Sequence, residues 1–278
     1  MAKRKSDREK LKRGITSTEV HSVEEMSTPR TPVIYEVVRR MGEEEMLRPA
    51  SSLWWSGIAA GLSISFSVLA EAILLNGLPD TEWRPLIASL GYSVGFLMVI
   101  LARQQLFTES TITAVLPVLK ELSPDMVTKM VRLWGIVLAA NLVGSLFAAL
   151  FCSFTPVLTP DLYAGMIEVS RKLLKYDLAS MFFAGIASGF LIAAMVWMLP
   201  TAEGAKFLVI TLMTYLIAAG GHTHIVSGSV EAYLLVIAGD WVWWQAILKF
   251  GLPVLAGNIV GGTALFAVLS YAQVKDEI

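Results

Sequence analysis

Gln104-Gln105-Leu106-Phe107-Thr108-Glu109-Ser110-Thr111 interrupts an apolar run that extends over residues 91–119. A second run, residues 205–238, is interrupted by His222-Thr223-His224-Ile225-Val226-Ser227-Gly228-Ser229. Backbone that leaves the helix at membrane depth cannot face lipid, because its N–H and C=O groups would find no partner there. It is tolerated where protein encloses it or where it lines a water-filled path. Two such segments in corresponding halves of a chain point to a solute pathway. The reading is a membrane channel or transporter, not an enzyme.

The rest of the composition agrees. The chain has 278 residues, is 55% hydrophobic and 16% charged, and has a mean hydropathy of +0.63. Soluble domains carry roughly 25% charged residues. Of the 22 Lys and Arg, 11 lie in the first 50 residues, so the remaining body is poor in charge. A net charge of −1 argues against a nucleic-acid partner, which would need a basic surface. Cys152 is the single cysteine, so no intrachain disulfide forms. The polar N-terminus lacks the apolar core of a cleavable signal. No Gly-x-x-x-x-Gly-Lys-[Ser/Thr] loop occurs, which argues against ATP-driven transport. No cofactor is implied, and no set of three convergent metal ligands stands out.

Residues 1–31 are dominated by polar and charged side chains and read as a disordered cytoplasmic tail. Over residues 32–48, Val33, Ile34, Val37, Val38, Met41 and Met46 form a helical stripe opposite Glu36, Arg39, Arg40 and Glu43. Pro32 suits the helix start. This amphipathic helix lies on the membrane surface, beneath the pore, or against a partner. Residues 49–273 form the transmembrane domain and 274–278 a short C-terminal tail. Six spans are expected, at about 51–75, 85–119 (broken), 130–153, 178–199, 205–238 (broken) and 244–272, each near the ~20 residues that cross the hydrocarbon core. The basic N-terminal segment places both ends of this multi-pass protein on the cytoplasmic side. Trp241, Trp243 and Trp244 sit where an interfacial aromatic belt is expected.

A weak repeat joins the halves. Asn141-Leu142-Val143-Gly144 recurs 117 positions later as Asn258-Ile259-Val260-Gly261, and the same offset carries Ser110 onto Ser227. Three spans separate the copies, so they run in opposite directions as an inverted repeat. Gly57/Gly61, Gly185/Gly189 and Gly257/Gly261 have the small-xxx-small spacing of close helix packing in lipid.

At each break a half-helix should restart. Ser110 or Thr111 would cap Ile112 onward, and Ser227 or Ser229 would cap Val230 onward. The free N–H groups then point to mid-membrane and favour an anion or a neutral solute's oxygen. His224 stands at the second break and is the candidate donor of a proton or hydrogen bond to a weak acid. His222 reads as a buried histidine bonded to a backbone carbonyl. Glu71, Arg103 and Glu109 are intramembrane charges, with Arg103 and Glu109 expected to pair with each other or with Glu71. Glu231 is similar in kind and is expected to face the bundle interior. Tyr92 and Phe96 share one helical face, as aromatic plugs of a narrow pore would.

Leu106-Phe107-Thr108, Asn141-Leu142-Val143-Gly144, His224 and Gly257-Asn258-Ile259-Val260-Gly261-Gly262, in this order, resemble the formate/nitrite transporter family. The run Ala102-Arg103-Gln104-Gln105-Leu106-Phe107-Thr108-Glu109 is similar to its YfdC-like branch. The resemblance covers about residues 33–272. It implies an all-α, aquaporin-like fold of six transmembrane helices, two of them broken, assembled as a homopentamer in lipid with one pore per protomer. It implies passage of small monovalent anions or their acids, such as formate, nitrite or hydrosulfide. The family's pore histidine falls on His224 and its loop threonine on Thr108. Its constrictions fall near Tyr92, Phe96, Leu106 and Ile217, and Phe107, Asn141 and Asn258 complete the candidate pore set. A vestibule lysine that attracts the anion would fall on Leu173, with Lys172 and Lys175 beside it. Arg103, Gln105 and Glu109 bring unusual charge and bulk to the first break.

The leading function is a channel in which the anion is protonated by His224 or water and crosses as the neutral acid. One rival is a neutral-solute or water pore on the same fold, marked by flux independent of pH. The other is a closed-pore structural or regulatory membrane protein, marked by the absence of flux.

Overall fold

In lipid a continuous apolar segment pairs its backbone groups internally, and the helix does this within one segment. The structure, a computed structural model, describes residue 19 and residues 29–278. Among the described residues, five helices are long and apolar enough to cross a membrane. In chain order the helices are α1 (Thr31–Leu47), α2 (Ala50–Gly77), α3 (Arg84–Leu101), α4 (Phe107–Thr113) and α5 (Val115–Lys120). They continue with α6 (Pro124–Phe154), α7 (Pro160–Ser170), α8 (Leu178–Met198), α9 (Lys206–Ala219), α10 (Ile225–Ala238) and α11 (Trp243–Val274). The expected tail over residues 1–31 lies almost wholly outside the described residues.

The long helices fall close to the expected spans. α6 starts ahead of residue 130, because Ser123 caps it by accepting from the Met126 N–H and Pro124 tolerates the first turn. The first broken span divides again: Pro117 has no N–H to return to Thr113, and the helix is interrupted at Ala114 between α4 and α5.

Two helix pairs carry the frame. A Cβ on Gly61 of α2 would lie 2.2 Å from the Asn141 carbonyl oxygen of α6, and one on Gly144 2.3 Å from that of Ile58. A Cβ on Gly189 of α8 would lie 2.3 Å from the Asn258 carbonyl oxygen of α11, and one on Gly261 2.1 Å from that of Ile186. The small-xxx-small spacing thus lets α2 meet α6, and α8 meet α11, backbone against backbone.

α1 docks on this bundle, with a face that differs from the expected stripe. Tyr35, Val38, Gly42 and Met46 are buried, whereas Val33 and Val37 are exposed. The buried set keeps i, i+3, i+7 and i+11 spacing. Gly42 decides it, since a Cβ there would overlap the Thr113 carbonyl at 1.8 Å. A residue of no hydropathic weight therefore fixes which side of α1 faces inward.

Candidate functional site

Both breaks are built by the same hydrogen bonds. After α3, the Gln104 N–H donates to the Val99 carbonyl at 2.9 Å; after α9, the His222 N–H donates to the Ile217 carbonyl at 2.8 Å. Arg103 and Gly221 precede these residues and take positive φ, 54° and 66°. Leu106 and His224 are extended, and helix resumes at Phe107 and Ile225. Corresponding positions are 118 residues apart here, one more than the sequence repeat implies, so Ser227 corresponds to Glu109 rather than to Ser110.

The caps also differ from expectation. The Asn141 Oδ1 accepts the Phe107 N–H at 2.9 Å, while its Nδ2 donates to the carbonyls of Gln105 and Gly57, both at 2.9 Å. Asn258 Oδ1 accepts the Ile225 N–H at 2.9 Å, and its Nδ2 donates to the Thr223 and Gly185 carbonyls at 3.1 and 2.9 Å. Both residues are fully buried. Ser110, Thr111 and Ser229 are not caps. Their half-helices have already begun, and each hydroxyl donates to a carbonyl in the preceding turn.

The two breaks meet at Thr108 and His224, whose Oγ1 and Nε2 are 2.7 Å apart and buried. The His224 Nδ1 accepts the Ser227 N–H at 3.2 Å. A neutral imidazole accepting at Nδ1 carries its proton on Nε2. His224 therefore donates to the Thr108 oxygen, and the Thr108 hydroxyl proton is left to donate onward. Phe96 stands edge-on to His224 with centroids 5.1 Å apart, and Tyr92 lies 5.1 Å from Phe96. Leu106, Phe107 and Ile217 are buried in the same apolar core. The candidate pore residues are thus brought together around one polar contact.

On one side of this centre is a cavity of about 20 Å³, lined by Tyr92, Lys172, Tyr176, His222, His224 and Glu231 among others. Lys172 Nζ lies 3.1 Å from Glu231 Oε1, 3.4 Å from Glu71 Oε2 and 5.7 Å from the Tyr92 ring centroid. Burial by itself lowers the pKa of this ammonium, but the carboxylates of Glu231 and Glu71 outweigh it and the net shift is upward. Lys175 is exposed and does not line the cavity, and Leu173 is buried. His222 makes no side-chain hydrogen bond among the described residues and lines the cavity, contrary to the carbonyl-bonded expectation. The Gly221 carbonyl beside it is already taken by the Tyr176 hydroxyl at 2.6 Å.

On the other side, beside α1, is a cavity of about 860 Å³ whose lining includes Glu45, Arg48, Arg103, Gln104, Gln105 and Glu109. The expected pairing of Arg103 with Glu109 or Glu71 is absent among the described residues. Arg103 sits in the left-handed turn before the extended segment and is exposed, while Glu109 lies beyond it in the first turn of α4. Glu71 is instead taken by Lys172. Sequence reasoning missed Glu45, which accepts from Thr113 Oγ1 at 2.7 Å and from Gln105 Nε2 at 3.4 Å. Burial raises its pKa. Glu231 faces inward as expected: with His224 and Gly228 it has the i, i+4, i+7 spacing of one helical face, and all three line the smaller cavity.

With this geometry established, the chain can be set beside known proteins. Residues 32–272 match the model of the family described as formate/nitrite transporter. The chain is 45% identical over 249 residues to "Inner membrane protein YfdC" of Escherichia coli (strain K12), covering 90% of this chain and 80% of that protein. Its fold is similar to that of a "Pentameric formate channel with formate bound", with a TM-score of 0.70, 22% identity, and coverage of 82% of this chain and 98% of that one. It is also similar to an "FNT family ion channel", with a TM-score of 0.73, 23% identity, and coverage of 87% and 98%. This multi-pass membrane protein is a transporter or channel rather than an enzyme, and it belongs to the formate/nitrite transporter family.

Proposed function

We propose that the chain forms a channel for small monovalent weak acids of the formate, nitrite or hydrosulfide type, which cross as the neutral acid past Thr108 and His224. In this reading the protein spans a bacterial inner membrane six times, α9 and α10 together forming the fifth span and α11 the sixth, with α1 on the cytoplasmic side. The halves form an inverted repeat, and five protomers assemble with one pore each.

The observation that carries the reading is the 2.7 Å Thr108–His224 contact between two broken spans, enclosed by Phe96 and the surrounding apolar core. An ion stripped of water in such a throat bears a large desolvation cost, and protonation removes most of it. With Nδ1 occupied by the Ser227 N–H, the imidazole supplies a hydrogen bond rather than a proton. Solvent water ahead of the apolar path supplies the proton, and the Thr108 hydroxyl orients the acid as it passes. At each restart one N–H and one carbonyl of the break are satisfied by an asparagine, Asn141 for Phe107 and Gln105 and Asn258 for Ile225 and Thr223.

Flux of formate, nitrite and hydrosulfide into proteoliposomes between pH 5 and pH 8 tests the proposal. His224→Asn should keep the fold and lower or reshape the pH-dependent flux by about tenfold, the worth of one buried hydrogen bond. Thr108→Ala should act on the same step. Unchanged flux and pH profile in a folded His224→Asn protein would overturn the mechanism. Flux of wild type independent of pH would favour a neutral-solute pore instead.

A further inference from the structure

Lys172 has two carboxylate partners where one would neutralise it. Glu231 Oε1 is 3.1 Å and Glu71 Oε2 3.4 Å from its Nζ. The Glu231 side chain is 3% exposed, that of Glu71 11% and that of Lys172 34%. All three stand at the mouth of the path to His224, and Lys172 and Glu231 line its cavity directly. The other titratable groups lining that cavity are Tyr92, Tyr176, His222 and His224. The nearby Arg171 adds no free cation, because it is paired with Asp240 at 2.8 Å.

We propose that Glu71 and Glu231 form a charge filter at this mouth. They over-neutralise Lys172, so the mouth turns away the free anion and admits the uncharged acid. The inference rests on the weak-acid reading above and adds the point at which charge is sorted.

The charges decide the sign. An anion reaching Lys172 meets one attraction and two repulsions, all within a few ångströms and behind apolar walls that weaken solvent screening. With both carboxyls ionised the cluster sums to −1, and with one protonated it sums to zero. Neither state offers the net positive charge that would concentrate anions. A purely structural role needs one carboxylate only, and a second buried one is costly unless it does something else. Glu231 reaches the cluster from α10, whose first turn is held by His224, while Glu71 reaches it from α2. The two acids are thus fixed by separate elements on either side of the lysine.

The test uses the full chain in proteoliposomes, with formate as probe and equal pH on both sides of the membrane. Wild-type flux should fall about tenfold for each pH unit above the solute's pKa, following formic acid rather than total formate. Glu231→Gln keeps the shape of the side chain and removes one charge. It should raise flux about tenfold at pH 7.5 and flatten the pH slope, and Glu71→Gln should move both in the same direction. Equal slopes in wild type and both folded variants would overturn the filter. So would wild-type flux that follows total formate. Calorimetric titration of formate at pH 7.5 into the purified protein gives a second readout, with binding at least tenfold tighter in Glu231→Gln than in wild type. If wild type carries no formate at any pH, the weak-acid reading fails. The filter still stands in that case if the variant binds formate tighter, and falls if it does not.

Discussion

Asn141 and Asn258 each satisfy one N–H and one carbonyl that the broken helices leave behind and tie them to a carbonyl of an unbroken helix, Gly57 in α2 or Gly185 in α8, through hydrogen bonds of 2.9–3.1 Å. Leaving a buried polar group unpaired costs about 1–3 kcal/mol. Asn141→Ala or Asn258→Ala should therefore lower stability by more than about 3 kcal/mol, seen as a lost or sharply lowered thermal transition in detergent. Asn→Asp keeps the acceptor and loses the donor, so it should lie between. A normal transition in Asn141→Ala would show that the break does not depend on this cap. Much of this was legible in the residues. The Asn-x-x-Gly repeat marked both positions, the second polar break marked His224, and the family resemblance marked Thr108. What the asparagines hold was not legible, because their targets lie 33–84 residues away in the chain. Glu45 escaped for the same reason. Its partner, Thr113, is 68 residues distant, and nothing in its local pattern separates it from the solvated charges of α1.

At the scale of elements, the helices were legible because lipid leaves the backbone few choices, whereas their seams depend on glycine. Gly189→Ala would drive a methyl to 2.3 Å from the Asn258 carbonyl and should abolish folding, while Gly77→Ala meets nothing within 4 Å and should be tolerated. The first break carries the opposite signal. Arg103 takes the left-handed conformation that Gly221 takes in the second break. Arg103→Gly should relieve that conformation and stabilise the protein by up to about 1 kcal/mol, after allowing for the added freedom of the unfolded chain. A drop in thermal midpoint would show that the guanidinium earns its place by contacts in the α1-side cavity. The stability of α1 and its docking should depend on pH in two opposed ways. Hydrogen bonding to Arg39 holds the Glu36 carboxyl at about 2, so its contribution is present above the ordinary value of 4.5 and is lost as pH falls toward 2. Burial raises Glu45, so its ionisation weakens docking as pH climbs above 4.5. Glu45→Gln keeps an acceptor for Thr113 and removes that charge. Its melting temperature should exceed that of wild type by a margin that widens from pH 5 to pH 8. A margin independent of pH would show that Glu45 does not ionise in the docked state.

The whole molecule presents apolar side chains outward. Trp55, Phe147, Phe183, Phe207 and Leu208 are all exposed. On a protein of this class such a surface meets lipid or a neighbouring protomer, and small residues inside the bundle cannot serve both. The homopentamer proposed above accounts for part of it, and a native mass of one or two protomers in mild detergent would count against that assembly. The N-terminal region then provides a test of which part of the chain the assembly needs. Deleting residues 1–31 removes the Arg30–Glu277 pair, whose side chains are 72% and 52% exposed. Pairs of that kind contribute about 0–1 kcal/mol. Deleting residues 1–48 instead removes Tyr35, Val38 and Met46 from the core and strips Glu45 from Thr113. The buried faces of α5 and of the α4–α5 junction would then stand open at the α1-side mouth. The shorter deletion should leave the thermal midpoint and native mass as in the full chain, and the longer one should lower both. Loss of assembly on removing residues 1–31 alone would place a structural contact within them. Survival of the pentamer without residues 1–48 would mean that α1 caps the mouth without holding the bundle together.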